Sequence, residues 1–474
     1  MRKALLVLSI LTSTLAYARQ PTHDNLSAQF DTHSDETDVP SQAYQDVTSD
    51  EGPMSEEEVL RAYEEEKAAE QGLWIFDKVS KVFDKPYTYV RCHYRQDPSP
   101  RNPQTVYTWA KDANGKDYKL YGAWVYGKSK LPNNAMFFTD ISHHRLEDIC
   151  RNTLKSKGLP GDRQVELIAA GNNALSYDSQ IWSQDIENQP HKMNRFVVFG
   201  DSLSDDHNMF NNSNWLLPNR QTWSGGRFAN GRVWSEVVAD AFDLPMNNWA
   251  MGGAATTTYK SLVQGLSQQV DSFAGYIKSA KNYQPQNTLF AVWIGANDLN
   301  NGFTVDKMMR YLRSSMEHLV SLGARDILLL NLPDISRAPS FKIKKGRERL
   351  DMSNKVKEYN RQMAKMVDEL RQKYRSRGLE IHFFDAYKLF DQLLDSPAQY
   401  GMTNVSQSCL DLPSGAPTLY LKTQKLRSEC YNPKLFAFWD LQHPTEQTHW
   451  LLAENIIDFL VGGGLSRPKP DYQF

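Results

Sequence analysis

The sequence predicts an α/β protein with a mostly parallel sheet, helices on both faces of that sheet, and a small α+β domain ahead of it. After residue 194, short apolar runs alternate with stretches of helical periodicity, as in strand–helix–strand units. Between residues 71 and 190 the runs are short, aromatic and alternating instead. The predicted strands of the parallel sheet are 196–199, 289–294, 327–330 and 381–384, and the predicted helices are 233–242, 305–322 and 353–373.

The first 18 residues have the pattern of a secretory signal peptide. Two basic residues precede an apolar stretch over 4–15, and Ala16-Tyr17-Ala18 is a small-x-small cleavage site. The apolar stretch is too short to span a bilayer comfortably, and no other segment is apolar enough to do so. We therefore expect a secreted, extracellular protein with a signal peptide over 1–18.

Residues 19–70 form an acidic segment, with 15 acidic residues against three basic ones. The segment has few large apolar residues, so burial cannot offset the entropy of ordering it, and we expect disorder. Ser55 and Glu58 fit a capping box, which favours a charged helix in the later part. The rest of the chain is mildly basic, which weakly favours anionic surfaces such as phospholipid headgroups. No nucleic-acid partner is predicted.

Residues 71–190 are predicted to form the small α+β domain. Asn114-Gly115 suits a hairpin turn, because both residues tolerate the positive φ that such a turn requires. A helix is expected to begin near Ser142. The many aromatic residues are best explained by core and hairpin packing, with lipid or glycan binding as the alternative. The predicted strands are 87–90, 106–109 and 118–126.

Four cysteines, Cys92, Cys150, Cys409 and Cys430, allow three pairings in an oxidising compartment. Two of them lie early in the chain and two lie late, so we expect pairing within each region, Cys92 with Cys150 and Cys409 with Cys430. No pair has zinc-ligand spacing, and neither a metal site nor a cofactor is predicted. The loop between Cys409 and Cys430 contains basic residues at which a protease could cut. The plainer alternative is that this disulfide only holds a surface loop in place.

The predicted nucleophile is Ser202, in the stretch Gly200-Asp201-Ser202-Leu203 that follows the apolar run 196–199. Open α/β folds place their chemistry at the carboxyl ends of the strands. A serine hydroxyl there becomes a nucleophile when a histidine takes its proton and amide donors stabilise the oxyanion. Asp201 is expected to support the turn rather than to take part in the chemistry.

The predicted general base is His443, which follows Asp440 by three residues and precedes a helix start at Pro444. A carboxylate at that spacing can accept the Nδ1–H of the imidazole, which leaves Nε2 free to take a proton. His207 is closer to Ser202 in sequence, but it sits in a polar loop and lacks this context.

Two further motifs supply candidate oxyanion donors. Gly253 belongs to a glycine-rich strand exit, where the missing Cβ lets a backbone N–H approach a substrate oxygen. Asn297 follows the strand predicted to end at residue 294, and its side-chain amide can turn towards the same pocket. A tight turn explains the first motif equally well, and a turn or helix cap explains the second.

Taken in this order, the four motifs resemble those of the SGNH or GDSL hydrolase superfamily, over about residues 194–466. The stretch from Gly225 to Gly231 is similar to the Gly-Arg-Phe-x-Asn-Gly sequence of its lipase branch. The layout, with a domain ahead of the core, resembles the thermolabile haemolysins (lecithinases) of vibrios and the related glycerophospholipid–cholesterol acyltransferases.

The resemblance implies a three-layer α/β/α, flavodoxin-like core in the hydrolase domain over 191–474. It also implies that Ser202 is the nucleophile, that His443 is the base and that Asp440 is the acid that orients the base. The implied oxyanion hole consists of the Ser202 N–H, the Gly253 N–H and the Asn297 side chain.

The function implied by the resemblance is that of a secreted phospholipase A or lysophospholipase that acts on a phospholipid membrane surface and thereby causes haemolysis. Acyl transfer to a sterol acceptor and deacetylation of a carbohydrate are alternatives within the enzyme class. A binding or toxin module with an inert hydrolase core is the alternative outside it. No oligomeric state is predicted.

Overall fold

The structure is a computed structural model. The predicted signal peptide, the predicted acidic segment and its helix lie outside the residues that it describes. Within the described ranges, none of the helices combines the length and apolarity needed to cross a bilayer. The described residues are 85–97, 99–127, 135–159, 165–172, 175–184, 193–259, 263–413 and 418–465.

The first part of the chain forms an N-terminal domain of two sheets and a helix, in agreement with the predicted α+β class. In one sheet the strand order is β2-β1-β6-β7, with β3 also paired to β1, and in the other the order is β4-β5-β8. The elements are β1 (Tyr87–Arg95), β2 (Thr105–Trp109), β3 (Lys119–Tyr121), β4 (Ala123–Tyr126), β5 (Ala135–Thr139), α1 (His143–Ser156), β6 (Val165–Asn172), β7 (Leu175–Ser179) and β8 (Ile181–Ser183).

The return strand predicted over 118–126 is divided into β3 and β4, which belong to different sheets. Gly122 lies between them, and a Cβ added there would be 2.0 Å from the Phe138 carbonyl oxygen. The backbone therefore passes so close to its neighbour that only glycine fits. Aromatic and aliphatic residues predominate on both sides of this point, so the sequence gave no sign of the change of partner.

Helix α1 begins at a side-chain cap and is anchored to β1 by a buried face and a disulfide. The Ser142 hydroxyl accepts the Arg145 N–H, which begins the helix where the sequence predicts it. Cys150 on the helix is bonded to Cys92 on β1, with the two Cα atoms 5.4 Å apart. The bridge and the apolar core beneath it fix the helix against the sheet.

The second part of the chain contains a five-stranded parallel sheet of order β10-β9-β11-β12-β13. Its strands are β9 (Arg195–Gly200), β10 (Met246–Asn248), β11 (Thr288–Trp293), β12 (Asp326–Leu330) and β13 (Glu380–Phe384), and a small sheet pairs β14 (Asn404–Ser408) with β15 (Phe436–Phe438). The helices are α2 (Asn208–Asn212), α3 (Trp234–Phe242), α4 (Leu266–Tyr276), α5 (Ala296–Asn300), α6 (Val305–Ser321), α7 (Gly346–Lys373), α8 (Ala386–Asp395) and α9 (Glu446–Gly462).

Helices cover both faces of the parallel sheet, which confirms the predicted α/β class. Successive residues of a strand point to opposite faces, and the aromatic contacts of β9 follow this rule. Phe196 contacts Trp234 of α3, whereas Phe199 contacts Phe273 of α4. On β11, Phe290 likewise contacts Phe273. The sheet therefore lies between two helical layers, and its central strands are buried along their whole length.

The four strands predicted for this sheet are present to within one residue at each end, and α3 and α6 match their predicted ranges closely. Helix α7 begins at Gly346 rather than at residue 353. Its first turn is exposed and is stabilised by the Glu348 carboxylate, which accepts the Lys345 N–H. An exposed turn carries no apolar periodicity, so this extension was missed.

The close approach at Gly122 predicts a site-specific loss of stability. We expect Gly122→Ala to lower the free energy of unfolding by about 2 kcal/mol or more, because the new methyl group overlaps a backbone carbonyl that cannot move freely. Gly275→Ala in α4, where a Cβ meets no atom within 4 Å, is the matched control and is expected to be neutral or slightly stabilising. Urea unfolding of both variants measures the difference, and equal stabilities would contradict the prediction.

Candidate active site

Ser202 lies just beyond the carboxyl end of β9, where the chain leaves the sheet in a tight turn. A Cβ on Gly200 would be 2.5 Å from the Trp293 carbonyl oxygen of β11, so the turn can begin only at a glycine. The Asp201 carbonyl then accepts the Ser204 N–H and closes the turn. The Ser202 hydroxyl is thereby presented at the edge of the sheet.

Ser202, His443 and Asp440 form a continuous hydrogen-bonded series across 241 residues of sequence. The distance from Ser202 Oγ to His443 Nε2 is 2.8 Å, and the distance from His443 Nδ1 to Asp440 Oδ2 is also 2.8 Å. A carboxylate accepts only, so Nδ1 carries the proton and Nε2 faces the hydroxyl as an acceptor. This is the arrangement in which an imidazole can remove a proton from a serine.

The Asp440 carboxylate is fully buried, and four donors surround it. Besides the imidazole, Oδ1 accepts the backbone N–H groups of Gln442 and His443, at 2.8 and 2.9 Å. Oδ2 accepts the indole N–H of Trp223 at 3.2 Å. A buried charge is tolerated only when it is paired and hydrogen-bonded. These donors therefore hold the carboxylate in one orientation beneath His443.

Two aromatic rings pack on the His443 imidazole. The Phe228 ring centroid is 5.1 Å from that of the imidazole, and the Tyr420 hydroxyl is 3.3 Å from Nδ1. Burial, together with the nearby Asp440 charge, raises the pKa of Tyr420 well above its ordinary value, so the side chain remains a neutral phenol. Tyr420 thus contacts the same nitrogen as Asp440 without adding a second negative charge.

The loop that carries Tyr420 is closed by the second disulfide, in which Cys409 and Cys430 have Cα atoms 5.3 Å apart. The Tyr420 carbonyl accepts the Asn219 N–H at 2.7 Å, and the Gln424 N–H donates to the Thr222 hydroxyl. Thr222 directly precedes Trp223. The bridged loop and the segment that holds the Asp440 carboxylate are therefore joined side by side.

Of the three predicted oxyanion donors, two line the active-site cavity and one does not. The Asn297 side-chain amide donates to the Ala254 carbonyl at 2.8 Å, which fixes it beside the glycine-rich exit after β10. An amide nitrogen carries two hydrogens, so one remains to donate to a ligand. Gly253 has a φ of 79°, which favours glycine. Among the described residues that line the active-site cavity, Ser202 and Asn297 are present and Gly253 is not.

Buried carboxylates join the turn at Ser202 to that glycine-rich exit. Asp205 accepts the N–H groups of Gly252 and Met209, at 2.7 and 3.0 Å, and burial raises its pKa to about 6. Burial also raises the pKa of Asp201, to about 7, and its Oδ1 accepts the Leu203 N–H. The Asp201 carboxyl therefore supports the turn, as predicted for the residue before the nucleophile.

The cavity at Ser202 opens to solvent, and its lining is mostly apolar. Ser202, Asn297 and His443 lie on its wall. Because most of its other walls are hydrocarbon, the cavity suits an apolar chain attached to the group that Ser202 reaches. Its apolar walls include Ile335, Ala338, Phe341, Phe390, Leu394 and Phe438.

The N-terminal domain braces the segment that carries Phe228. The buried guanidinium of Arg227 makes a two-point ion pair with Glu236 of α3 and donates to the Glu166 carbonyl of β6 at 2.7 Å. His207, the histidine nearest to Ser202 in sequence, donates its Nε2–H to the Asp178 carboxylate of β7, 2.9 Å away. His207 therefore belongs to the junction between the two domains and not to the series at Ser202.

Sequence reasoning missed Trp223 and Tyr420. Trp223 directly precedes the Ser224-Gly225-Gly226 stretch, and Tyr420 lies within the disulfide loop. A tryptophan or tyrosine in a loop, outside any motif, does not indicate from the sequence which residue it contacts. The proximity of the loop to Asp440 in the sequence was the one available sign that its residues approach the site.

The chain is similar to two protein families and to proteins of known name. Residues 196–456 match the family described as GDSL-like Lipase/Acylhydrolase, and residues 54–184 match the family described as Vibrio dual lipase/transferase, N-terminal domain. The thermolabile hemolysin of Vibrio parahaemolyticus is 37% identical over 383 residues, which cover 80% of this chain and 89% of that protein. The phosphatidylcholine-sterol acyltransferase of Aeromonas hydrophila is 29% identical over 308 residues, covering 56% of this chain and 90% of that protein.

Among solved structures, the psychrotrophic esterase EstA of a Pseudoalteromonas species is similar at 13% identity and a TM-score of 0.29, covering 57% of this chain and 98% of that one.

The parallel sheet, with a serine, a histidine and a buried carboxylate in hydrogen-bonded series at its carboxyl edge, defines a serine hydrolase. Within that class, this chain belongs to the GDSL-like lipase/acylhydrolase family.

The contact at Nδ1 predicts that Tyr420 positions His443. We expect Tyr420→Phe to lower kcat/KM for a soluble ester about 2- to 10-fold, because one hydrogen bond to the imidazole is lost while the packing remains. Tyr420→Ala should cost more, since the packing on Phe228 is lost as well. Tyr311→Phe, which changes a partly exposed tyrosine on α6, is the control. Full activity in Tyr420→Phe would contradict the prediction.

Proposed function

We propose that the chain is a secreted serine esterase that hydrolyses fatty-acyl esters of phospholipids through an acyl-enzyme on Ser202. The observation that carries the proposal is the series from Ser202 Oγ through His443 to the buried Asp440, placed on the wall of an apolar cavity. In this proposal residues 1–18 are the signal peptide, 19–70 the acidic segment, 71–190 the N-terminal domain and 191–474 the hydrolase domain.

In the acylation step, His443 Nε2 removes the proton from Ser202 Oγ, which bonds to the carbonyl carbon of the ester. The carbonyl oxygen becomes an oxyanion, and we assign its stabilisation to the N–H groups of Ser202 and Gly253 and to the Asn297 amide. Each such donor contributes on the order of 3 kcal/mol to the barrier reduction. The protonated imidazole then gives its proton to the leaving alkoxide oxygen, and the carbon–oxygen bond to the leaving group breaks.

In the deacylation step, a water molecule takes the place of the departed alcohol. His443 Nε2 removes a proton from the water, whose oxygen bonds to the acyl carbon. The same donors stabilise the second oxyanion. As the bond to Ser202 Oγ breaks, the imidazolium returns its proton to that oxygen, and the fatty acid leaves. Asp440 stays ionised throughout and stabilises the imidazolium that forms twice in each cycle.

The apolar cavity favours a fatty-acyl chain over a small acyl group. An acetyl group needs no hydrocarbon wall, so carbohydrate deacetylation fits this cavity poorly. The hydrogen-bonded series at Ser202 is complete, so a purely binding or toxin module with an inert core also fits poorly. The relatives named for hemolysis and for phosphatidylcholine favour phospholipid as the acyl donor, and a phospholipid membrane surface as the place of action.

Acyl transfer to a sterol is the second candidate function. Two comparisons favour it, since one related family is described as a dual lipase/transferase and one relative as a phosphatidylcholine-sterol acyltransferase. Transfer and hydrolysis share the acylation step and differ only in the hydroxyl that attacks the acyl-enzyme. The same site therefore supports both reactions, and the acceptor decides between them.

The proposal predicts the products formed from phosphatidylcholine vesicles with and without cholesterol. We expect free fatty acid in both cases, because water reaches the acyl-enzyme in either membrane. Cholesteryl ester in the second case would show transfer to the sterol. Ser202→Ala should lower both activities about 10⁴-fold or more, because no acyl-enzyme can form. Quantitative lipid chromatography measures both products.

The control for this experiment is the folded state of the alanine variant. Its circular dichroism and unfolding midpoint should match those of the wild type, because a hydroxyl on a partly exposed turn contributes little to packing. Haemolysis should be lost together with hydrolysis. A variant that still lyses erythrocytes while its esterase activity is absent would instead support the binding or toxin module.

The cavity walls predict acyl-chain selectivity. We expect Leu394→Trp to lower kcat/KM for a p-nitrophenyl palmitate at least about tenfold, because the indole fills space that a long chain requires. Activity on the butyrate ester should change only a few-fold. Leu350→Trp, at an exposed leucine on α7, is the matched control. An equal change for both esters would show that the cavity does not hold the acyl chain.

A further inference from the structure

Three side chains with metal-binding atoms converge where the N-terminal domain meets the hydrolase domain. His143 and His144 are the first two residues of α1, and Asp243 directly follows α3. One ligand atom from each lies within 4.8 Å of the other two. Asp243 Oδ1 is 2.6 Å from His144 Nε2 and 3.8 Å from His143 Nε2. Within the described residues, this is the one such group of three histidine, cysteine or acidic side chains.

The convergence of the two histidines is unusual for their position in sequence. Adjacent residues of a helix point about 100° apart around its axis, so neighbouring side chains normally diverge. Here the two imidazole centroids are 3.9 Å apart, and both Nε2 atoms approach the same carboxylate oxygen. A tetrahedral metal ion with bonds of about 2.0–2.2 Å holds its ligand atoms roughly 3.3 Å from one another. Small side-chain rotations would bring all three atoms to that spacing.

The local electrostatics also allow a cation. The start of α1 alone disfavours positive charge, because a helix N-terminus carries a partial positive charge. Asp243 offsets this with a full negative charge, and it lies at the carboxyl end of α3, where the helix dipole favours a cation. The side chains of His143, His144 and Asp243 are 25%, 50% and 36% exposed. A metal ion can therefore enter the site from solvent and keep water as its remaining ligand.

We propose that His143, His144 and Asp243 form a zinc-type divalent metal site that ties α1 to the end of α3. Two imidazoles and one carboxylate suit Zn²⁺, whereas Mg²⁺ and Ca²⁺ prefer oxygen ligands alone. The site goes beyond the esterase function, because none of the three side chains lines the active-site cavity. Its effect is structural, since a bound ion links an element of the N-terminal domain to one of the hydrolase domain.

The competing explanation is an ordinary ion pair, in which a protonated His144 binds Asp243 and His143 is a neighbour without a function. The chain offers a matched example of such a pair. His318 Nδ1 on α6 is 3.3 Å from Asp271 Oδ1 on α4, at similar exposure. In the part of the chain that the structure describes, this pair does not belong to a group of three histidine, cysteine or acidic side chains at metal-binding spacing. This His318–Asp271 pair is therefore the control for how a surface histidine–aspartate pair responds to added zinc.

The test is calorimetric titration of the chelator-treated, untagged full chain with ZnCl₂ at neutral pH. We expect one zinc site per chain. The zinc affinity should fall about tenfold or more in His144→Ala and in Asp243→Asn, because even the loss of a residue that hydrogen-bonds to a metal ligand commonly costs that much. His318→Ala should bind as the wild type does. Saturating zinc should also raise the unfolding midpoint of the wild type by about 3 °C, and not that of the two site variants.

Substitution with Co²⁺ keeps the test decisive if a variant folds poorly. Visible absorption bands of protein-bound Co²⁺ should form in the wild type and disappear when Zn²⁺ is added. Absence of these bands, or zinc affinity unchanged in both His144→Ala and Asp243→Asn, would overturn the proposal. Ester hydrolysis is expected to be the same with and without zinc, so failure of the metal site would leave the proposed esterase function untouched.

Discussion

The buried charge of Asp440 is the constraint on which the geometry of the site depends. A carboxylate with no exposed surface needs hydrogen-bond donors, and three of the four that Asp440 has come from its own loop. Trp223 has to reach it from another segment of the chain. The disulfide loop is joined to that segment and adds Tyr420. Satisfying one charge therefore fixes three separate loops, and His443 is oriented as a result.

A second set of polar contacts connects the N-terminal domain to the same site. Asp178 of β7 accepts a hydrogen bond from His207, which directly precedes α2 and lies only five residues after Ser202. Asn208 then donates to the carbonyl oxygens of Asn248 and Ala250, at 2.9 and 2.8 Å. Hydrogen bonds thus run from the small domain through the segment after the nucleophile to the glycine-rich exit. The small domain is a supporting part of the site, although none of its described side chains lines the cavity.

Local patterns predicted the elements of this fold better than its long-range contacts. The runs at 196–199 and 289–294 are fully buried strands, and such strands are recognisable because both of their faces must be apolar. The motif at His443 was equally accessible, since three residues separate it from Asp440. Residue patterns do not encode the pairing of β4 with β5 instead of β1, or the approach of Tyr420 to His443. These depend on packing between segments far apart in sequence.

The fate of the acyl-enzyme follows from the shape of the site. In the proposed mechanism the acyl chain occupies the apolar cavity, and the group that attacks its carbonyl has to give a proton to His443 Nε2. Water and a sterol hydroxyl must therefore use the same base, and they compete for one position. Water is abundant, so transfer requires an acceptor held close to that position, where its effective concentration exceeds that of water. Under the proposed function, a membrane surface supplies such an acceptor in the same layer as the phospholipid. The ratio of transfer to hydrolysis is therefore expected to depend on the composition of the membrane as much as on the residues of the site.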